Sequence, residues 1–101
     1  MKYRSRMEIV EIILRVANQG ASKTRIMYNA YLSYAQVVEY LQFLQKTGLL
    51  ALDAEKPVYR LTEKGLRFLH VCEELNGLMA EIKKPSAKEE AEKTERKILA
   101  E

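Results

Sequence analysis

Cysteine, histidine and aspartate occur once each, as Cys72, His70 and Asp53, tryptophan is absent, and only two prolines and four glycines punctuate 101 residues. One cysteine cannot close an internal bridge, and so few ligating side chains cannot assemble a metal site, so disulfide scaffolds and zinc modules are excluded. Nucleophiles with their bases and orienting groups draw on the same scarce residue types, so the chain is expected to be neither an enzyme nor the holder of a cofactor. Apolar runs such as Ile12 to Leu14 fall far short of the roughly 20 residues that cross a bilayer, and no apolar signal region opens the sequence. There is also no internal repeat and no glycine-rich phosphate loop. These absences predict a soluble, cytoplasmic protein without a membrane partner.

Hydrophobic residues at 48% and charged residues at 31% are enough to bury one core, and 101 residues leave no room for a second of similar size. The net charge of +3 is modest but unevenly placed. From Met1 to Leu52 there are seven basic and three acidic residues, and from Asp53 onward ten and eleven. The positive excess in the first half points weakly to a polyanionic partner there.

Ser5, Ser22, Ser33, Thr62 and Ser86 each precede a helix-like stretch and can accept hydrogen bonds from its free N–H groups. Ser5 with Glu8, Ser33 with Gln36 and Ser86 with Glu89 have the spacing of a reciprocal capping box, and Leu32 with Val37 and Leu61 with Leu66 that of a hydrophobic staple. A first helix is predicted from about Arg6 to Asn18, with Ile9, Val10, Ile13, Val16 and Ala17 on its core face and Gly20 for the left-handed exit. A short second helix follows from Lys23 to about Asn29. A third, from Tyr34 to Thr47, turns Val37, Leu41 and Leu44 inward and stops at Gly48. Two β-like runs, Leu49 to Asp53 and Val58 to Leu61, flank a loop of hairpin length. Beyond Thr62 a long fourth helix carries Leu61, Gly65, Phe68, Cys72, Leu75, Met79 and Ile82 in steps of four and three, a heptad seam. Pro85 blocks its continuation.

The order helix, helix, helix, hairpin, helix defines a mainly α fold with a small β-hairpin: a winged helix-turn-helix with a long C-terminal dimerisation helix. Residues 1–66 form the winged helix-turn-helix domain, 62–84 the coiled-coil dimerisation helix and 85–101 a charged tail. The stretches Tyr3-Arg4-Ser5-Arg6-Met7-Glu8-Ile9-Val10, Lys23-Thr24-Arg25-Ile26-Met27-Tyr28 and Asn29-Ala30-Tyr31-Leu32-Ser33-Tyr34 resemble the archaeal winged-helix proteins of the ten-kilodalton nucleoid class. Tyr40-Leu41, Lys46-Thr47-Gly48-Leu49-Leu50 and Tyr59-Arg60-Leu61-Thr62-Glu63-Lys64-Gly65-Leu66 continue the likeness, which spans about Tyr3 to Leu75. The resemblance implies a nucleoid-associated homodimer that binds double-stranded DNA and is held by an antiparallel coiled coil of the last helix.

That class often carries basic residues in its third helix, whereas this chain has no Lys or Arg from Ile26 to Gln45. Phosphate contacts are therefore expected from Lys2, Arg4, Arg6, Lys23, Arg25, Lys56 and Arg60, and base contacts from Ser33, Tyr34, Gln36, Val38, Glu39 and Gln42. Tyr28, Tyr31 and Tyr40 read as packing residues, with Tyr34 the tyrosine singled out for contact. Phe68, Cys72, Leu75, Met79 and Ile82 are the expected dimer surface, because the far end of the helix projects beyond so small a core. Cys72 reads as a small hydrophobe and His70 as a surface residue. A protein-interaction module with the same dimer seam and little nucleic-acid binding is the alternative, and the neutral third helix is its support.

Overall fold

The computed structural model describes residues 4–83; Lys2, the charged tail and the Ser86 capping box lie outside them. Helix α1 spans Arg6–Ala17, α2 Lys23–Asn29, α3 Tyr34–Lys46 and α4 Glu63–Lys83, with strands β1 Leu50–Leu52 and β2 Tyr59–Leu61 between the last two helices. The caps form as their sequences require. Ser5 Oγ accepts from Glu8 N at 3.1 Å while Glu8 Oε1 accepts from Ser5 N at 2.9 Å, and Ser33 with Gln36 repeats the exchange at 3.2 and 2.9 Å. Ser22 Oγ accepts from Arg25 N at 3.2 Å and Thr62 Oγ1 from Gly65 N at 3.0 Å. The staple expected at the start of α4 does not bury its outer partner: Leu66 is left 53% exposed.

The two helices that meet the wing and the turn end alike. After α3, Gly48 N donates to Gln45 O at 3.1 Å and Leu49 N to Leu44 O at 2.9 Å, the paired bonds of a Schellman turn with Gly48 at φ 81°. After α2, Tyr31 N donates to Tyr28 O at 3.3 Å and Leu32 N to Met27 O at 3.0 Å, the same motif with Tyr31 at φ 54°.

The hairpin is antiparallel, with Leu50 opposite Leu61, Ala51 opposite Arg60 and Leu52 opposite Tyr59. Ala21, in the link between α1 and α2, exchanges both backbone bonds with Tyr59, at 3.0 and 2.8 Å, and so binds the base of the wing to the helices. The core gathers Ile9, Val10, Ile13, Leu14 and Ala17 of α1, Ile26 of α2, Val37, Leu41 and Leu44 of α3, and Leu49, Leu50, Tyr59 and Leu69 around them. Leu14 joins the buried face, whereas Val16 only packs at its edge.

The expected seam on α4 is corrected by its neighbours. Gly65 lies against the backbone of Leu49, where an added Cβ would stand 2.1 Å from the Leu49 oxygen, so glycine here admits a close approach within the chain. Leu69 and Cys72 are buried against the chain's own domain, and Phe68 packs at the core edge. Glu11 of α1, buried, accepts from Arg15 and, at 2.6 Å, from Asn76 Nδ2 of α4, which fixes the face that α4 turns toward α1. The residues left outward are Val71, Leu75, Leu78 and Ile82, each more than half exposed and spaced four, three and four apart. Cys72 is thus occupied intramolecularly and Phe68 partly so, and the open stripe is displaced from the predicted one by part of a turn. Leu75 and Ile82 belong to both, and Met79 is half-buried at the margin.

Candidate nucleic-acid interface

The expected contact residues on α2 and α3 lie on helices whose starts are fixed by serine caps, so their geometry follows from the local chemistry. Arg4 and Arg6, at the entry to α1, reach across to the helix-turn-helix. Arg4 Nη2 donates to Tyr31 O at 3.2 Å. The Arg6 guanidinium lies 3.9 Å from Glu39 and 5.5 and 5.7 Å from the ring centroids of Tyr40 and Phe43, so a cation that α3 lacks before Lys46 is laid along its flank. On the other side, Lys23 Nζ of α2 stands 5.4 Å from the centre of the Tyr34 ring at the start of α3. The neutral third helix is therefore fringed by cations from α1 and α2.

Arg25 does not join that group. It lines a polar recess with Arg15, Asn18, Gln19, Gly20 and Asn29. The guanidinium of Arg60 lies over the same Gly20. Arg25 and Arg60 thus each stand near Gly20, away from the cations beside α3. Arg60 Nε is 3.4 Å from Asp53 Oδ2. The backbone N–H of Glu55 and then Arg60 hold the Asp53 carboxyl below its ordinary pKa. Lys56 stands exposed in the hairpin loop.

On α3 the exposed face carries Tyr34, Ala35, Gln36, Glu39 and Gln42. Two expectations are revised. Val38 is half-buried against the core, because it adjoins Val37 and Leu41 on the inward stripe, and does not face out as a free contact. Gln36 has its Oε1 engaged by Ser33 N, so two-point recognition of adenine requires the capping box to open. Ser33 likewise spends its hydroxyl oxygen on the Gln36 N–H.

Reading the tyrosines as packing residues fails for two of them. Tyr28 is 70%, Tyr31 83% and Tyr34 64% exposed, and of these four tyrosines Tyr40 alone packs on the core. All three exposed rings belong to seven residues that turn from α2 into α3. The signal that finds them in sequence is their spacing, three residues apart, across a turn whose inward positions are already filled by Ile26, Ala30, Leu32 and Val37.

Among the described residues no group of three His, Cys, Asp or Glu side chains is placed to hold a metal ion. Burial, and next the Glu11 charge, raise the pKa of the Cys72 thiol, which keeps it protonated and unreactive. No helix among the described residues is long and apolar enough to cross a membrane. Phe68 lines an open apolar cavity of about 480 Å³ with Met7, Val10, Phe43 and Leu49, between α1, α3 and α4.

Three helices, a capped turn between the second and third, a two-stranded wing and a long last helix define a winged helix-turn-helix protein. The chain belongs to that family: the winged helix-turn-helix family matches residues 3–80. The crystal structure of Sso10a-2, a DNA-binding protein from Sulfolobus solfataricus, is 32% identical, with a TM-score of 0.70 over 90% of this chain and 96% of that one. The uncharacterised protein MJ0287 of Methanocaldococcus jannaschii is 35% identical over 77 residues, which are 75% of this chain and 77% of that protein. The transcriptional regulator BldR from Sulfolobus solfataricus shares the fold at 19% identity and a TM-score of 0.62, over 91% of this chain and 71% of that one.

Proposed function

We infer that the chain is a homodimer that binds double-stranded DNA, with α3 in the major groove, the wing on the phosphate backbone and α4 setting the distance between two domains. The observation that carries this reading is the fringe of Arg4, Arg6 and Lys23 around a helix that has no cation of its own before Lys46. Arg25, in the recess beside Gly20, and Arg60, on the wing, supply further backbone contacts. Residues 1–66 carry the DNA contacts, and 62–84 the dimer surface. The likeness to Sso10a-2 supports placing the chain in the ten-kilodalton nucleoid class, as a cytoplasmic, nucleoid-associated regulator or architectural protein.

The dimer surface is the outward stripe Val71, Leu75, Leu78 and Ile82, flanked by Met79, arranged antiparallel as the resemblance implies. Two leucines, a valine and an isoleucine half-exposed in one line are costly in water, at about 1 kcal/mol or more for each side chain that a partner helix would cover. Leu78→Asp is expected to give a monomer in sedimentation equilibrium while Cys72→Ser leaves the dimer intact. A parent chain that is monomeric at high micromolar concentration refutes the dimer.

The test of DNA binding is a titration of duplex DNA at several salt concentrations. Binding should weaken steeply with salt, and replacing Arg25 and Arg60 with Gln should flatten the slope by about one unit for each phosphate that is no longer neutralised. Absence of duplex binding at low salt would favour the protein-interaction module, which the Glu39 and Gln42 face of α3 also fits.

A further inference from the structure

The turn between α2 and α3 carries more exposed aromatic surface than a helix-turn-helix needs for packing. Tyr28, Tyr31 and Tyr34 follow one another through the last turn of α2, the left-handed residue and the first turn of α3. Two cations stand at this turn: Lys23 lies over the Tyr34 ring and Arg4 is bound to the carbonyl of Tyr31. Tyr31 is the most exposed of the large hydrophobic residues, at 83%, and adopts a positive φ of 54° that glycine would adopt without strain. A strained backbone that displays a ring to solvent gains nothing for the fold, and such strain gathers at binding sites.

We propose that Tyr28, Tyr31 and Tyr34 form a stacking platform for unpaired nucleobases, so that the chain binds single-stranded DNA in addition to any duplex. Every base offers a π-face, so aromatic rings beside cations hold a single strand with little regard to sequence. The rings supply the stacking, and Arg4 and Lys23 supply the attraction for phosphates. The seven-residue path from Tyr28 to Tyr34 leaves room for a few consecutive nucleotides. This binding does not depend on the duplex reading, since it needs neither the wing nor a groove.

The experiment compares an end-labelled oligothymidylate of about 15 nucleotides with an abasic strand of equal length, by fluorescence anisotropy on the full chain. The parent should bind oligothymidylate at least tenfold more tightly than the abasic strand, with quenching of tyrosine fluorescence. The variant Tyr28→Ser, Tyr31→Gly, Tyr34→Ser should lose that preference while melting no lower than the parent, and the three Phe replacements should keep it, because stacking needs the ring and not the hydroxyl. Equal affinity for the two strands overturns the proposal, as does a serine and glycine variant that retains the preference. Tenfold tighter binding of an equal-length oligouridylate would also overturn it, in favour of RNA. Duplex titrations run in parallel separate the two readings. Loss of duplex binding with the oligothymidylate preference intact removes only the groove model, and the reverse removes only the platform.

Discussion

The exits of α2 and α3 close with the same pair of backbone hydrogen bonds, yet one places Gly48 and the other Tyr31 at the left-handed position. At Gly48 the choice follows from conformation alone, since an added Cβ would meet only the Lys64 side chain, at 3.9 Å. Tyr31 adopts the same region against a penalty of about 1–2 kcal/mol for an L side chain. Nothing in the core repays it, because the ring stands in solvent. The Arg4 hydrogen bond to the Tyr31 carbonyl helps hold the turn from outside. The Gly48 exit serves the fold, delivering Leu49 beneath α4, whereas the Tyr31 exit leaves a large ring exposed at the turn.

The largest effect is expected where the Gly48 exit meets α4. Gly65→Ala would force its methyl into the Leu49 carbonyl, and overpacking of this kind costs about 1–3 kcal/mol or more. Thermal melting should fall by many degrees, given about 4–8 °C for each kcal/mol in a domain of this size. An unchanged melting temperature would mean that the wing and α4 do not approach as described.

Exchanging the two left-handed residues sharpens the contrast. Gly48→Tyr should destabilise by about 1–2 kcal/mol, from backbone strain without a clash. Tyr31→Gly should stabilise by about 0.5–1 kcal/mol, the relief of strain less the entropy of glycine. The same Tyr31→Gly change should weaken oligothymidylate binding, since one stack is worth about 1–3 kcal/mol. Melting curves and anisotropy on the same samples would read both signs. A Tyr31→Gly chain that is more stable and binds as well as the parent would leave the exposed ring without a role.

The smallest effect falls on the cap next to that turn. Gln36→Ala removes half of the Ser33 box and should lower stability by about 0.5 kcal/mol, a shift of a few degrees in melting. The ranking of duplex sites should stay the same, because the Gln36 oxygen is already spent on the backbone. A flattened ranking with unchanged melting would return Gln36 to base recognition and take weight from Tyr34.

Sequence alone determined the features made within a few residues of one another. The serine caps, the reciprocal boxes with Glu8 and Gln36, the stop at Gly48 and the inward stripe of Val37, Leu41 and Leu44 are local hydrogen bonds and one helical period, and they appear where the residues placed them. Helix ends agree to within a residue or so, and both strands fall inside the predicted β-like runs. Tertiary structure alone decided which of two neighbouring stripes on α4 the domain would cover. Phe68, Cys72 and Leu75 and the displaced row Val71, Leu75 and Leu78 fit a heptad equally well, and the choice was made by the Leu49 backbone at Gly65 and by Glu11 at Asn76, contacts with distant parts of the chain. The same holds for the cations. Arg4 and Arg6 are about thirty residues from the turn and helix they flank, and Lys23 and Arg25, two residues apart, point to different sides because a helix rotates about 200° over that interval. Periodicity says that a face exists; only the opposing surface, brought near by the folded chain, says what it meets.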